Sequence, residues 1–255
     1  MLDALARSGR AAMAGRTLAY ARACYAWAQK RGAVPGNPFQ GLPNAAGAEA
    51  RDRVLADAEV GAVWRAAGAM GRPFGPLVRL LLLTAQRRDE VAGLRWSELS
   101  PDLAVWTVPK ERAKNGRAHL VHLAPEARAV LAGVPRAEGS DLVFTTNGRT
   151  PVSGFAKGKE RLDRLSGVRD WRLHDVRRTA VTWMAGAGFP PHVADRLLNH
   201  VEGAIRGVAA VYQRGEFLPE RRSALEAWAT HVLACAKQGA EEAERVSASA
   251  TRAAS

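Results

Sequence analysis

Trp171-Arg-Leu-His-Asp-Val-Arg-Arg-Thr179 is the stretch on which the reading of this chain turns. His174 and Arg177 stand three apart, a spacing that puts both side chains on one face of a helix. An imidazole and a guanidinium converging there form a donor cluster suited to one phosphate group. Downstream, in Ala209-Ala-Val-Tyr-Gln-Arg214, stands Tyr212, whose hydroxyl is placed to attack such a phosphate. It is one of three tyrosines, and the other two, Tyr20 and Tyr25, fall in a separate N-terminal helix.

Outward from this cluster, further pieces appear in order. Thr84-Ala-Gln-Arg87 is followed by Glu90, Ala113-Lys-Asn-Gly-Arg117 carries Lys114, and Leu198-Asn-His200 precedes the tyrosine. A phosphodiester under attack gains charge on its non-bridging oxygens, and preorganised cations aimed at them supply the largest catalytic contribution. Arg87 and Arg177 offer two guanidinium forks that stay charged at any working pH. His174, near neutrality in its proton affinity, is suited to bond the same phosphate or to take the nucleophile's proton. His200 follows a short helix and is placed to donate to a phosphate oxygen. A phenol ionises near pH 10, so attack by Tyr212 requires the cationic pocket or base that these groups provide.

The order of these pieces resembles the catalytic domain of the tyrosine recombinase (phage integrase) family. Arg87-Arg-Asp-Glu-Val-Ala-Gly-Leu-Arg-Trp96 and Gly207-Val-Ala-Ala-Val-Tyr212 are similar to the integrases of prophages and genomic islands, over about residues 16–235. The resemblance implies site-specific DNA recombination and integration through a 3′-phosphotyrosyl intermediate, with Arg87, Lys114, His174, Arg177, His200 and Tyr212 as catalytic residues. Lys114 then enters from a mobile hairpin loop as general acid, protonating the departing 5′ oxygen, with Lys110 as its rival. Glu90 supports Arg87. The phosphotyrosyl link conserves the energy of the broken bond, so neither ATP, cofactor nor metal is needed. Implied partners are double-stranded DNA at attachment sites, a homotetramer on that DNA, and accessory DNA-bending proteins. Ala85 and Asn199 depart from the family pattern, each standing where glycine is frequent.

Composition agrees with a polyanion partner. The 255 residues carry 37 Lys+Arg against 25 Asp+Glu, a formal charge of +12, although a preference for arginine across a whole proteome gives the same excess. The two cysteines, Cys24 and Cys235, form neither a metal-ligand cluster nor a disulfide framework, which points to a reducing cytoplasm. The longest apolar run, Leu80-Leu-Leu-Leu83, is far short of a membrane span, and residues 1–15 lack the apolar core of a signal peptide.

The fold expected is mainly α with a small antiparallel β-sheet. Residues 1–45 read as the last helix (16–31) of a core-binding helical domain plus a breaker-rich linker, 46–236 as the catalytic domain, and 237–255 as a disordered tail. Helices are predicted near 57–68, 73–85, 88–93, 125–133, 153–165, 174–187, 191–198 and 218–235, with Asp57 or Ser153 as caps and Pro219 in a first turn. Strands are predicted at 104–108, 119–123 and 142–144. Leu225, Trp228 and Val232 form a stripe that docks either on a neighbouring protomer or on its own domain. A truncated N-terminus would weaken the clamp on DNA. Three competing readings remain: a non-catalytic DNA-binding module, a type IB topoisomerase-like enzyme, and a recombination-deficient integrase fragment.

Overall fold

The computed structural model describes residues 2–43, 52–199 and 216–253; His200 and Tyr212 lie outside the described residues. The chain divides into two compact units, Met1–Asp52 and Arg53–Ser255. In the first, α1 (Leu2–Arg7) and α2 (Ala11–Lys30) replace the single helix expected over 16–31. The breaker-rich segment after them turns back on α2: Asn37 donates to the Arg22 carbonyl (3.0 Å), and Phe39 meets Tyr25 edge to face.

The second unit is helical around one small sheet. Its elements are α3 (Asp57–Met70), α4 (Phe74–Thr84), α5 (Arg88–Ala92), β1 (Val105–Val108), β2 (His119–His122), α6 (Pro125–Ala132), α7 (Phe155–Ser166), α8 (Asp175–Gly186), α9 (Pro191–Leu197) and α10 (Leu218–Ala253). Helix α4 is the axis. Leu77 and the run Leu80–Leu83 are all buried, because α3, α6 and α10 cover it from different sides. An apolar run this dense, too short for a membrane, marks a helix whose last turns are buried on every side. Among the described residues no helix is long and apolar enough to cross a membrane.

Helix α10 lies along α3 and seals the core with Leu225, Trp228 and Val232, so the stripe packs on its own domain. Trp228 is fully buried and its indole donates to the Leu82 carbonyl at 2.6 Å, which satisfies its one polar atom. Close approach depends on Gly61. A Cβ there would overlap the Cys235 carbonyl oxygen of α10. The helix also continues to Ala253, where a disordered tail was expected from 237. The stretch Gln238-Gly-Ala-Glu-Glu-Ala-Glu-Arg245 is polar but rich in Ala and Glu, strong helix formers that prolong a helix already nucleated by packing.

Strands β1 and β2 pair antiparallel, Trp106 opposite Val121 and Val108 opposite His119. These four side chains are buried while Thr107 and Leu120 face out, so the period-2 alternation holds on both strands. The third strand expected at 142–144 is instead a single bridge, Arg95 with Leu142. The ladder ends there because the chain winds into a 3₁₀ turn at Trp96–Glu98, and Asp141 caps that turn through the backbone N–H and hydroxyl of Ser97. The expected caps also shift by one residue. Ala56 precedes α3, with Glu59 accepting from its N–H at 2.9 Å, and Gly154 in a left-handed conformation precedes α7.

Candidate active site

Helix α4 ends at Thr84 because Ala85 turns left-handed (φ 52°), and the chain then presents Arg87 as the residue capping α5. Glycine is favoured at such a φ because a Cβ crowds the following carbonyl. Asn199, after α9, is also left-handed (φ 53°), a conformation asparagine tolerates. Both departures from the expected glycines therefore fall at positive φ, which is the physical reason for glycine there.

Arg177 emerges from the first turn of α8 and is 3% exposed. Its guanidinium donates to the Ala85 carbonyl (2.6 Å) and the Leu198 carbonyl (3.0 Å). Neighbouring Arg178, not Arg177, pairs with Asp175, at 3.0 Å. Arg87 pairs with buried Glu90 at 3.0 Å and reaches the Asn199 carbonyl at a long 3.4 Å. The Leu197 carbonyl accepts from Gln86 and bonds the His119 ring, each at 3.0 Å. A helix leaves its last carbonyls without intrahelical partners. Here the carbonyls of Leu197, Leu198 and Asn199 are capped by four side chains from three places in the chain, which fixes the backbone immediately before His200.

His174 is the residue capping α8 rather than its first helical residue, still one turn from Arg177. It lines an open cleft of about 640 Å³ together with Arg87, Arg88 and Lys114; Trp171 and Phe155 form apolar walls. Lys159 lies over the Trp171 ring (4.1 Å), and Arg88 over Phe155 (4.6 Å). Three of the six predicted catalytic residues thus share one cleft, while Arg177, buried one helical turn from His174, does not line it. His200 and Tyr212, predicted to join them, fall outside the described residues.

The electrostatics fit an anion site. Burial first, then the nearby Arg87 charge, lower the Arg177 pKa to about 10, which leaves it protonated at neutral pH. Two like charges held this close favour a phosphate between them. Burial, Arg177 and Arg178 push His174 below its ordinary value, with Asp175 opposing, so the ring is neutral near pH 7 and able to accept a proton.

The sequence missed several supporting residues. The Lys114 loop, expected to be mobile, is tethered: Arg112 pairs with Glu98 at 2.7 Å, the Lys114 N–H faces Glu90 at 3.4 Å, and Asn115 bonds Asn199. Lys110, the rival, pairs only loosely with Glu111 in the open. Buried His119 is announced in the sequence only by its place on the inward face of a strand. Folding also brings Asp57, His231 and Cys235 within 4.8 Å of one another, a cluster invisible when only the two cysteines are compared. The His231 ring bridges Asp57 (3.0 Å) and the Cys235 sulfur (3.4 Å), and burial pushes that thiol up to about 11, so it stays protonated.

The prophage integrase IntA of Escherichia coli (strain K12) is 30% identical over 155 residues, covering 60% of this chain and 37% of that protein. The match therefore spans well under half the length of that relative. In fold the chain is similar to a lambda integrase dimer bound to a COC′ core site, with TM-score 0.62, 19% identity, and coverage of 85% of this chain and 63% of that one. It is also similar to a lambda integrase tetramer bound to a Holliday junction, with TM-score 0.63, 18% identity, and coverage of 81% and 63%. The profile of the phage integrase family matches residues 66–212, more than half of the sequence and the whole span from before Arg87 to Tyr212, and the chain belongs to that family.

Proposed function

We propose that this chain is the catalytic part of a site-specific DNA recombinase that cuts and rejoins strands through Tyr212. The observation that carries this reading is the convergence of Arg87, Lys114 and His174 on one cleft, with buried Arg177 one helical turn from His174. The Tyr212 oxygen attacks the scissile phosphorus, its proton passing to His174, and the bond to the 5′ oxygen breaks. Arg87, Arg177 and His200 hold the non-bridging oxygens, Lys114 protonates the leaving oxygen, and Glu90 orients Arg87. A second 5′ hydroxyl then attacks the 3′-phosphotyrosyl link and releases the tyrosine. No cofactor or metal enters this scheme. Residues 1–45 belong to a DNA-clamping helical domain and 46–236 to the catalytic domain.

The working assembly is a homotetramer on two attachment sites, assisted by DNA-bending proteins, in the cytoplasm where the DNA lies. The solved relative on a Holliday junction is a tetramer, which supports that assembly. The test is a nicked suicide duplex bearing the attachment sequences that flank the element encoding the chain. A covalent protein–DNA adduct that disappears in Tyr212→Phe is the expected result. Shifted DNA mobility without an adduct overturns the enzyme reading and leaves a binding module. Relaxation of supercoiled plasmid without site preference would instead point to a topoisomerase.

A further inference from the structure

Lys114 stands between two anchored neighbours. Ala113 is buried, and Asn115 forms a two-way amide pair with Asn199 at the end of α9. The Asn115 side-chain N–H₂ donates to the Asn199 carbonyl (2.9 Å) and to its side-chain oxygen (2.7 Å). Asn199 returns a bond to the Asn115 side-chain oxygen at 3.2 Å. The pair joins positions 84 residues apart, the loop that carries Lys114 and the segment that precedes His200. Arg87 reaches the same Asn199 carbonyl, so one backbone oxygen senses both the first arginine and the lysine loop.

We propose that Asn115 and Asn199 are positioning residues that hold Lys114 at the cleft for proton donation to the leaving 5′ oxygen. This rests on the reading of Lys114 as general acid. The pair is partly exposed and uncharged, so it adds little to the core and does not titrate. Its consequence is geometric. A loop lysine has four rotatable side-chain bonds, and delivery of its proton requires the backbone beneath it to stand still. The left-handed Asn199 supplies an amide that glycine, the residue expected there, lacks.

The test separates proton delivery from mere structure. On an ordinary suicide duplex the phosphorus–oxygen bond breaks, and the 5′ oxygen takes a proton from the Lys114 ammonium. On a duplex with sulfur at the bridging 5′ position, the thiolate leaves with its electron pair and needs no proton, since thiols are far more acidic than alcohols. Asn199→Gly keeps the left-handed backbone and removes the side chain; Asn115→Ala removes the donor. Both should slow adduct formation about tenfold to a hundredfold on the oxygen substrate and return close to the parent rate on the sulfur substrate. The double variant should be no slower than the slower single one, because the two act as a unit. Lys114→Ala should show the same rescue from a deeper loss. Equal slowing on both substrates, or none on either, overturns the positioning role while Lys114→Ala rescue keeps the general acid. Failure to rescue Lys114→Ala overturns the general-acid reading and the proposal with it.

Discussion

Acid should loosen the catalytic unit through His119. Its ring faces the core opposite Val108, bonded to the Leu197 carbonyl at 3.0 Å through Nε2, with Nδ1 at 3.4 Å from the Arg221 guanidinium. Only a neutral ring with its proton on Nε2 suits both neighbours: it donates to the carbonyl and offers a lone pair to the arginine. A second proton would meet a positive charge in a dry site. Burial, then Arg221, lower the His119 pKa from 6.5 to about 3. In the unfolded chain the same ring protonates near 6.5. Below that pH the unfolded state binds more protons, so stability is complete near neutrality and is lost as pH falls from about 6.5 towards 3. The limiting slope is about 1.4 kcal/mol per pH unit, and integration from pH 7 to 5 gives about 2 kcal/mol. That is a large share of a total of about 5–15 kcal/mol for a typical domain.

The assay is urea unfolding followed by tryptophan fluorescence between pH 7 and 5, comparing the parent with His119→Gln. Glutamine can donate to Leu197 and accept from Arg221 without titrating. His122 and His174 are also lowered by burial and add acid loss of the same sign, but in both proteins, so the difference isolates His119. The parent should lose about 2 kcal/mol more than the variant over this interval. An equal acid loss in the two proteins would refute the reasoning.

Two glycine–alanine exchanges should have opposite signs in thermal unfolding. Gly61→Ala should cost about 1–3 kcal/mol by forcing α10 off α3, whereas Ala85→Gly should stabilise by about 0.5–1 kcal/mol by relieving the left-handed turn. A neutral Gly61→Ala would show that the helices slide apart cheaply. Thiol labelling read by mass spectrometry should modify exposed Cys24 first. Buried Cys235, with its thiol raised to about 11, should label only in denaturant; native labelling of both at one rate would contradict that burial.

The sequence by itself pointed to the family and to most of the element plan. His174-x-x-Arg177, Arg87 with Glu90, and Lys114 in a hairpin loop carry recognisable side chains at local spacings, and local spacing survives folding. Helices α3 to α9 and both strands follow from periodicity, with ends shifted by a residue or two. Helix α10 runs past residue 237 to Ala253 because the helix propensity of Ala and Glu outweighs the polarity of that stretch. What only the tertiary structure decided are relations between segments far apart in the chain. The capping of α9's last carbonyls by Arg177, Arg87, His119 and Gln86, and the tether between Asn115 and Asn199, are of this kind. Such bonds depend on where backbone carbonyls end up in space. A carbonyl is the same in every residue, so no residue name announces which one a buried arginine or histidine will find.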